Sequence, residues 1–350
     1  MSWRAAIAVV GLVSAIIAPA CADEGVDSAC GRVEISDVPP KRLDHLFQGF
    51  HGIATDGAFV YYPTAADGEL HRIPIGGEKK PELVRAQPYI RAIKAHGTRV
   101  CWMFPDGVGC LDASQGPSDV VKVERYPRDS WSYFRDFDFD ETHVYWLDEH
   151  ALWRAPLDRS APPSTLATTA ETTRAIAVGG GRIVFGTEDF SSVSTCRTAD
   201  GCSASNALVS YGRPPQAILG SLATDGRFAY VPIHLADDTG RRGGRLVRVD
   251  LDTGEKRDLV SCLDESPVAV EVDGSTAILL THATERIPTK VDSAGQPLAG
   301  GSVWSIPLDG SMPRRLANEQ PHPVHAALLP DRVFWINDND RRGELMVLAR

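Results

Sequence analysis

A short pattern recurs seven times along the chain, and nothing else in it limits the fold so strongly. Asp56-Gly57-Ala58-Phe59-Val60-Tyr61-Tyr62 returns as Asp140-Glu141-Thr142-His143-Val144-Tyr145-Trp146. His96–Trp102, Gly181–Phe185, Asp225–Tyr230, Asp273–Ile278 and Asp331–Trp335 are looser copies. One residue of each copy serves as a marker: Val60, Val100, Val144, Ile183, Ala229, Ala277 and Val333. The markers are about 45 residues apart on average, a period shared by propeller blades and helical solenoids.

Periodicity inside the unit separates the two. A short β-rich run precedes each marker, as in Gly52–Thr55 or Arg174–Val178, and an alternating run follows, as in Leu152–Leu157 or Val303–Leu308. A last run closes the unit, as in Glu82–Val84 or Lys256–Val260. Asp-Gly and Gly-Gly turns bound these runs, and no segment carries a sustained 3.6-residue apolar stripe with caps. Four short strands per unit predict an all-β protein, a β-propeller of seven four-stranded blades. The final unit stops after Glu344–Leu348 with three strands, while Arg42–Phe47 stands ahead of the first unit with none of its own. That early run is expected to supply the missing outer strand and close the ring. A ring of six is the alternative, because the unit around Ser191–Ser210 departs furthest from the pattern.

Val144–Asp148 followed by Leu152–Asp158 resembles the YWTD-type propeller repeat, and Ile306–Ser311 matches the tail of that repeat. Thr195–Cys202 with Pro214-Pro215 is similar to a group of secreted bacterial propellers of myxobacterial type. The resemblance spans about residues 40–350 and implies a fold, not an activity, since strand and turn residues carry it. YWTD rings usually have six blades, against seven units here.

The N-terminus reads as an address. Arg4 precedes Ala5–Ala20, interrupted only by Ser14 and Pro19, which suits a secretory h-region and falls short of a comfortable membrane span. Ala18-Pro19-Ala20 would direct cleavage before Cys21, and Ala20-Cys21-Ala22 before Asp23. Cys21 also fits a lipoprotein site, although Ala18 and Pro19 replace the usual leucine and small residue. We therefore expect a leader over 1–22, a linker over 23–40 and one propeller domain over 41–350. The destination is the periplasm, the outer-membrane surface or the exterior.

Seven cysteines leave six for bridges once Cys21 is removed or lipidated. A turn at Phe104–Gly107 sets Cys101 directly opposite Cys110 in a non-hydrogen-bonded pair, within disulfide range. Cys196–Cys202 would close a hairpin of the fourth unit, leaving Cys30–Cys262 by elimination. No C-x-x-C pair or histidine cluster suggests zinc.

Function is less legible. With 36 basic against 46 acidic residues the chain carries −10, which argues against nucleic acid or an anionic membrane as partner. No later run is long and apolar enough to span a membrane, so a lipid on Cys21 is the sole anchor the sequence offers. It holds no nucleophile elbow, H-E-x-x-H, P-loop or helix-opening G-x-G-x-x-G. Asp338 and Asp340 are the best Ca²⁺ candidates, without the glycine and distal glutamate of an EF-hand; acidic turns elsewhere are what hairpins use anyway. Five residues ahead of the repeat's Asp position stand His51, Arg91, Arg135 and Arg174 in four consecutive units. These four are expected at the mouth of the central channel, near Tyr89, Trp131, Tyr133, His322 and His325, as a site for a small anion or an acidic partner segment. The expectation is an exported, monomeric, non-catalytic binding or scaffold propeller without cofactor. The alternative is a metal-assisted lyase or hydrolase acting on a small or carbohydrate anion.

Overall fold

The computed structural model describes residues 34–47, 52–64, 69–86, 89–104, 107–112, 121–122, 136–148, 151–168, 173–187, 192–199, 201–202, 206–210, 216–218, 220–236, 242–291, 297–339 and 342–350. They form seven antiparallel sheets arranged as a β-propeller, with strands A to D running outward in each blade. Blade 1 comprises Ala54–Thr55, Phe59–Thr64, Glu69–Pro74 and Glu82–Ala86, and blade 2 Ala92–His96, Arg99–Phe104, Gly107–Asp112 and Val121–Lys122. Blade 3 comprises Asp136–Phe139, His143–Leu147, Ala151–Pro156 and Ser164–Thr168; blade 4 Thr173–Gly179, Arg182–Thr187, Ser192–Arg197 and Asn206–Ser210. In blade 5 strand A is split into Gln216–Ile218 and Ala223–Thr224, ahead of Phe228–Ala236, Arg242–Asp250 and Lys256–Leu263. Blade 6 holds Ser266–Asp273, the long hairpin Thr276–Val291 and Pro297–Pro307, and Arg314–Ala317.

Blade 7 holds Pro323–Leu329, Arg332–Asn339 and Arg342–Ala349, and its fourth strand is Lys41–Phe47 from the other end of the chain. The first and last parts of the sequence thus lock the ring by ladder hydrogen bonds, and seven is the blade count. Within the stretch expected as a linker, Glu34–Ile35 adds a parallel strand to the outer edge of blade 6. Two residues are too few to show a period-2 pattern, so sequence could not have announced it.

Apolar burial is distributed by seam. Seven clusters of buried side chains each join two neighbouring blades, as where Met103 and Cys110 of blade 2 meet Phe137 and Trp146 of blade 3. Each blade is packed on both faces, which is why its second strand is buried almost end to end, as in Phe59–Thr64, Arg99–Phe104 and His143–Leu147.

The repeat's own residues prove to be a turn clasp. Asp56 Oδ1 accepts the backbone N–H groups of Ala58 and Phe59 at 2.8 Å, and Oδ2 accepts the Tyr61 hydroxyl at 2.8 Å. Asp140 holds Thr142, His143 and Tyr145 in the same way, and Asp225 holds Arg227, Phe228 and Tyr230. Burial, and then the adjoining carboxylate, push all three tyrosine hydroxyls well above their usual range, so each stays a donor.

Two disulfides are present. Cys101 and Cys110 pair directly opposite one another outward from Phe104–Gly107, with Cα atoms 4.0 Å apart. Cys196 and Cys202 are bridged at the end of strand C in blade 4, Cα atoms 5.0 Å apart. Cys30 and the Cys262 side chain lie outside the described residues, as do the leader and Cys21. The split in strand A of blade 5 has a local cause: Gly220 adopts φ 86°, and a Cβ there would lie 1.4 Å from the Val268 carbonyl oxygen. Only glycine permits that approach of one blade to the next.

Candidate functional site

The innermost strands surround the central channel. Six residues before each marker stand Ala54, Lys94, Asp138, Ala177, Ala223, Glu271 and Ala327. Blades taper toward the axis, and a small side chain lets neighbouring inner strands approach. Four blades obey, their alanines buried in the seams. Three blades place a charge there instead.

These charges meet. Asp138 is buried; its Oδ1 lies 2.9 Å from His96 Nε2, and its Oδ2 accepts the Val178 N–H at 2.7 Å. One turn of the pleat higher, Asp136 accepts the N–H groups of Phe137 at 2.9 Å and Ile176 at 3.1 Å. Two carboxylates of blade 3 therefore fasten the inner strand of blade 4. Lys94 of blade 2 interacts electrostatically with both and with Glu271 of blade 6, a non-adjacent blade that it can meet only across the channel. Among the described residues Lys94 makes no direct ion pair.

Burial and neighbours set the protonation of this cluster. Burial disfavours a charge on Lys94, but Glu271, Asp136 and Asp138 together raise its ammonium above the usual value. Burial opposes protonation of His96 as well, and Asp138 beside it outweighs that, so the imidazole is raised. Asp138 is held low against burial, chiefly by His96. Burial dominates at Asp136, pushed up to about 6, and at Glu271, which is also raised. Three acids face one lysine and one imidazole, so the throat is acidic in balance. Perturbed groups that converge in a channel are where ligands or proton transfer are found. No group of three or more His, Cys, Asp or Glu suited to a metal occurs among the described residues.

Above the throat, where strand A of blade 2 begins, Arg91 is exposed. Its N–H donates to the Met103 carbonyl at 2.8 Å, and its guanidinium has no ion-pair partner among the described residues. Tyr89, two residues earlier, is 73% exposed and holds a left-handed backbone at φ 61°. A non-glycine residue held there costs energy that the surroundings must supply. His51 and Arg135 lie outside the described residues, as does the side chain of Arg174, so of the four expected mouth residues the structure describes the side chain of Arg91 alone.

The other candidates sit in structural roles or nearby. His322 stacks on His282 with ring centroids 3.8 Å apart, and His282 Nε2 donates to the Pro323 carbonyl at 3.0 Å. Burial and then His322 push His282 down to about 4, so it is neutral. Asp338 belongs to strand B of blade 7, its N–H bonded to the His322 carbonyl; Asp340 lies outside the described residues. The neighbouring Asn337 is buried against Trp335 and Gln320. Asp148, one of the acidic turn residues, accepts the Ala151 N–H at 2.7 Å and the Trp153 indole N–H at 2.6 Å, and so clasps its own hairpin.

Sequence reasoning singled out none of Lys94, Asp136, Asp138 and Glu271 as site residues. The signal was available: once the units are aligned, a charge replaces alanine at one inward position in three of seven copies.

No protein-family model matches the chain, and no curated protein is similar enough to relate it to one. Solved structures do resemble it in fold. A streptogramin B lyase is 12% identical with a TM-score of 0.58, covering 89% of this chain and 97% of that one. YCF48 bound to D1 peptide is 10% identical with a TM-score of 0.56, over 91% and 97%. A computationally designed protein, Ika8, is 16% identical with a TM-score of 0.55, over 91% and 100%. An enzyme, a peptide-bound protein and a design share the architecture, so the fold leaves the activity open.

Proposed function

We propose that the protein is an exported, non-catalytic binding propeller that holds an acidic partner segment or small anion at the channel mouth. The observation that carries this reading is the Tyr89–Arg91 pair: an exposed aromatic on a strained backbone, two residues from a guanidinium without an ion-pair partner among the described residues. Arg can grip a carboxylate through two parallel hydrogen bonds, and a tyrosine face adds contact area at low entropic cost. His51, Arg135 and Arg174, at equivalent positions in three other blades, would extend the same positive collar. The acidic throat below would hold an anion at the rim. Export is supported by the leader-like N-terminus and by the two disulfides, which suit an oxidising compartment. No helix among the described residues is long and apolar enough to cross a membrane.

Fluorescence anisotropy with a labelled oligoglutamate peptide tests the reading. Binding should weaken with salt, and Arg91→Ala should reduce affinity about tenfold while leaving the melting temperature unchanged. Equal affinity of Arg91→Ala and wild type would overturn it. The His96–Asp138 pair beside Lys94 favours a second reading, lyase or hydrolase chemistry in the throat. Turnover of a small anionic substrate that is abolished by His96→Gln and unaffected by Arg91→Ala would establish that one instead.

A further inference from the structure

The opposite face of the ring carries the A–B and C–D turns, and there arginines tie blade to blade. Arg99 Nη1 donates to the Glu141 carbonyl at 2.9 Å, and Arg154 Nη1 to that of Thr198 at 3.1 Å. Arg182, Arg248 and Arg332 do the same to Leu251, Leu308 and Ile75 at 3.5, 2.9 and 3.4 Å. A guanidinium has five N–H donors, so one such bond leaves most of it to satisfy. At three seams the remainder is taken up. Arg182 pairs with Asp252, Arg332 with Asp331 at 2.7 Å, and Arg248 lies over the Phe228 ring at 4.4 Å. Arg99 and Arg154 have no carboxylate partner and no ring stacked beneath them among the described residues, though Arg154 faces the Tyr145 hydroxyl electrostatically, and both line one groove.

That groove, of about 530 Å³, lies between blades 2 and 3, with His143, Leu157, Pro162 and the disulfide-bonded Cys110 among its walls. Its origin is visible in the repeat. Arg72, Arg154 and Arg248 are equivalent, each directly opposite the clasp tyrosine of its own blade. In blades 1 and 5 the residue before the marker is Phe59 or Phe228, and Arg72 and Arg248 lie over those rings at 4.1 and 4.4 Å. In blade 3 that residue is His143. Its Nδ1 shares a 2.8 Å hydrogen bond with the Thr142 hydroxyl, leaving Nε2 uncommitted among the described residues.

The geometry points to this groove as a second binding site, for a small carboxylate carried on an apolar body. Two guanidiniums anchored from behind by carbonyls lose little freedom on gripping an oxyanion, and the imidazole of His143 forms a wall beside them. Leu157, Pro156 and Pro162 supply the apolar contact, and the volume is that of a small-molecule site. The two acids lining it, Glu141 and Asp158, are exposed, and Asp158 already accepts the Ser160 N–H at 2.9 Å.

Calorimetric titration of the full chain with benzoate, acetate and benzamide separates the contributions. Benzoate should bind, and acetate and benzamide should bind at least about tenfold more weakly, since each lacks one half of the ligand. Arg99→Met and Arg154→Met should each cost benzoate about tenfold, whereas Arg248→Met, at a seam away from the groove, should cost nothing. His143→Phe restores the ring–arginine stack of blades 1 and 5. It should abolish benzoate binding while raising the melting temperature, a combination that unfolding cannot mimic. Benzamide binding as well as benzoate, or undiminished affinity in both Arg99→Met and His143→Phe, would overturn the assignment. The mouth reading stands or falls separately, through Arg91.

Discussion

The inner wall of the ring has two characters at one backbone position. Blades 1, 4, 5 and 7 place alanine there, buried and silent; blades 2, 3 and 6 place Lys94, Asp138 and Glu271. The alanines are what a tapering blade calls for, and the charges persist because they have one another. A half-buried ion cluster seldom stabilises a fold relative to apolar packing, yet removing one member leaves the rest uncompensated. The charged side of the wall therefore costs stability that the alanine side does not, and that asymmetry is what points to the channel as a working surface.

The comparison can be broken most directly at Lys94. Lys94→Ala should lose about 3 kcal/mol in urea denaturation, less than a fully buried ion pair would, because three carboxylates are left facing one imidazole. Converting Lys94, Asp138 and Glu271 together to alanine gives all seven blades the same inner residue, and should recover most of that loss. If the triple variant is as unstable as Lys94→Ala, the charges are structural rather than tolerated.

Next in size is the bridge that stiffens the charged side. Replacing both Cys101 and Cys110 by alanine opens a nine-residue separation, for which loop entropy predicts a loss of about 2–3 kcal/mol. Non-reduced peptide mapping should show Cys101 joined to Cys110 and to no other cysteine.

A subtler contrast uses pH. Asp136 is raised to about 6 in the fold, above its unfolded value, so the native state holds its proton more tightly and the fold loses stability as pH climbs from about 4 to 6. Asp136→Asn removes that loss. Its stability relative to wild type should improve by about 2 kcal/mol between pH 4 and pH 7, whatever the constant effect of altered hydrogen bonding to Phe137 and Ile176. His96 has the same sign in a higher window: raised by Asp138, it contributes most below its unfolded value and fades as pH rises past its folded one. A flat difference between Asp136→Asn and wild type across this range would show that Asp136 is not desolvated. The smallest effect belongs to the clasps. Tyr61→Phe and Tyr145→Phe should each lose about 1 kcal/mol, one on the alanine side and one on the charged side, and should match each other.

The architecture was readable because the blades repeat one plan at a steady spacing, marked by the Asp–Tyr clasp in blades 1, 3 and 5 and by an aromatic pair in blades 1, 3 and 7. Asp56, Asp140 and Asp225 mark the turns, and the Phe104–Gly107 register delivered the Cys101–Cys110 bridge residue for residue. Blade 7's borrowed strand was legible by counting, as a unit short of one strand and a strand short of a unit. The site was harder. Lys94 and Glu271 are 177 residues apart in the chain, and only ring closure brings them face to face. The same holds for Arg99, His143 and Arg154, whose significance lies in what blades 1 and 5 have in their place. Arginines at the mouth attracted notice by their spacing, whereas a charge substituted for alanine is visible only after the units are aligned.

The strand that completes blade 7 sets a timetable. Lys41–Phe47 is made ahead of every blade, and its partner Arg342–Ala349 only after the other six. At about 5–20 residues per second, the ribosome needs roughly 15–60 s to deliver that partner after the early strand has left it. Individual hairpins form in microseconds, so the inner blades are ready long before the ring can shut. Until that partner is in place the molecule can only be an open arc with a bare edge at each end, and no blade formed earlier can shut the ring on its own.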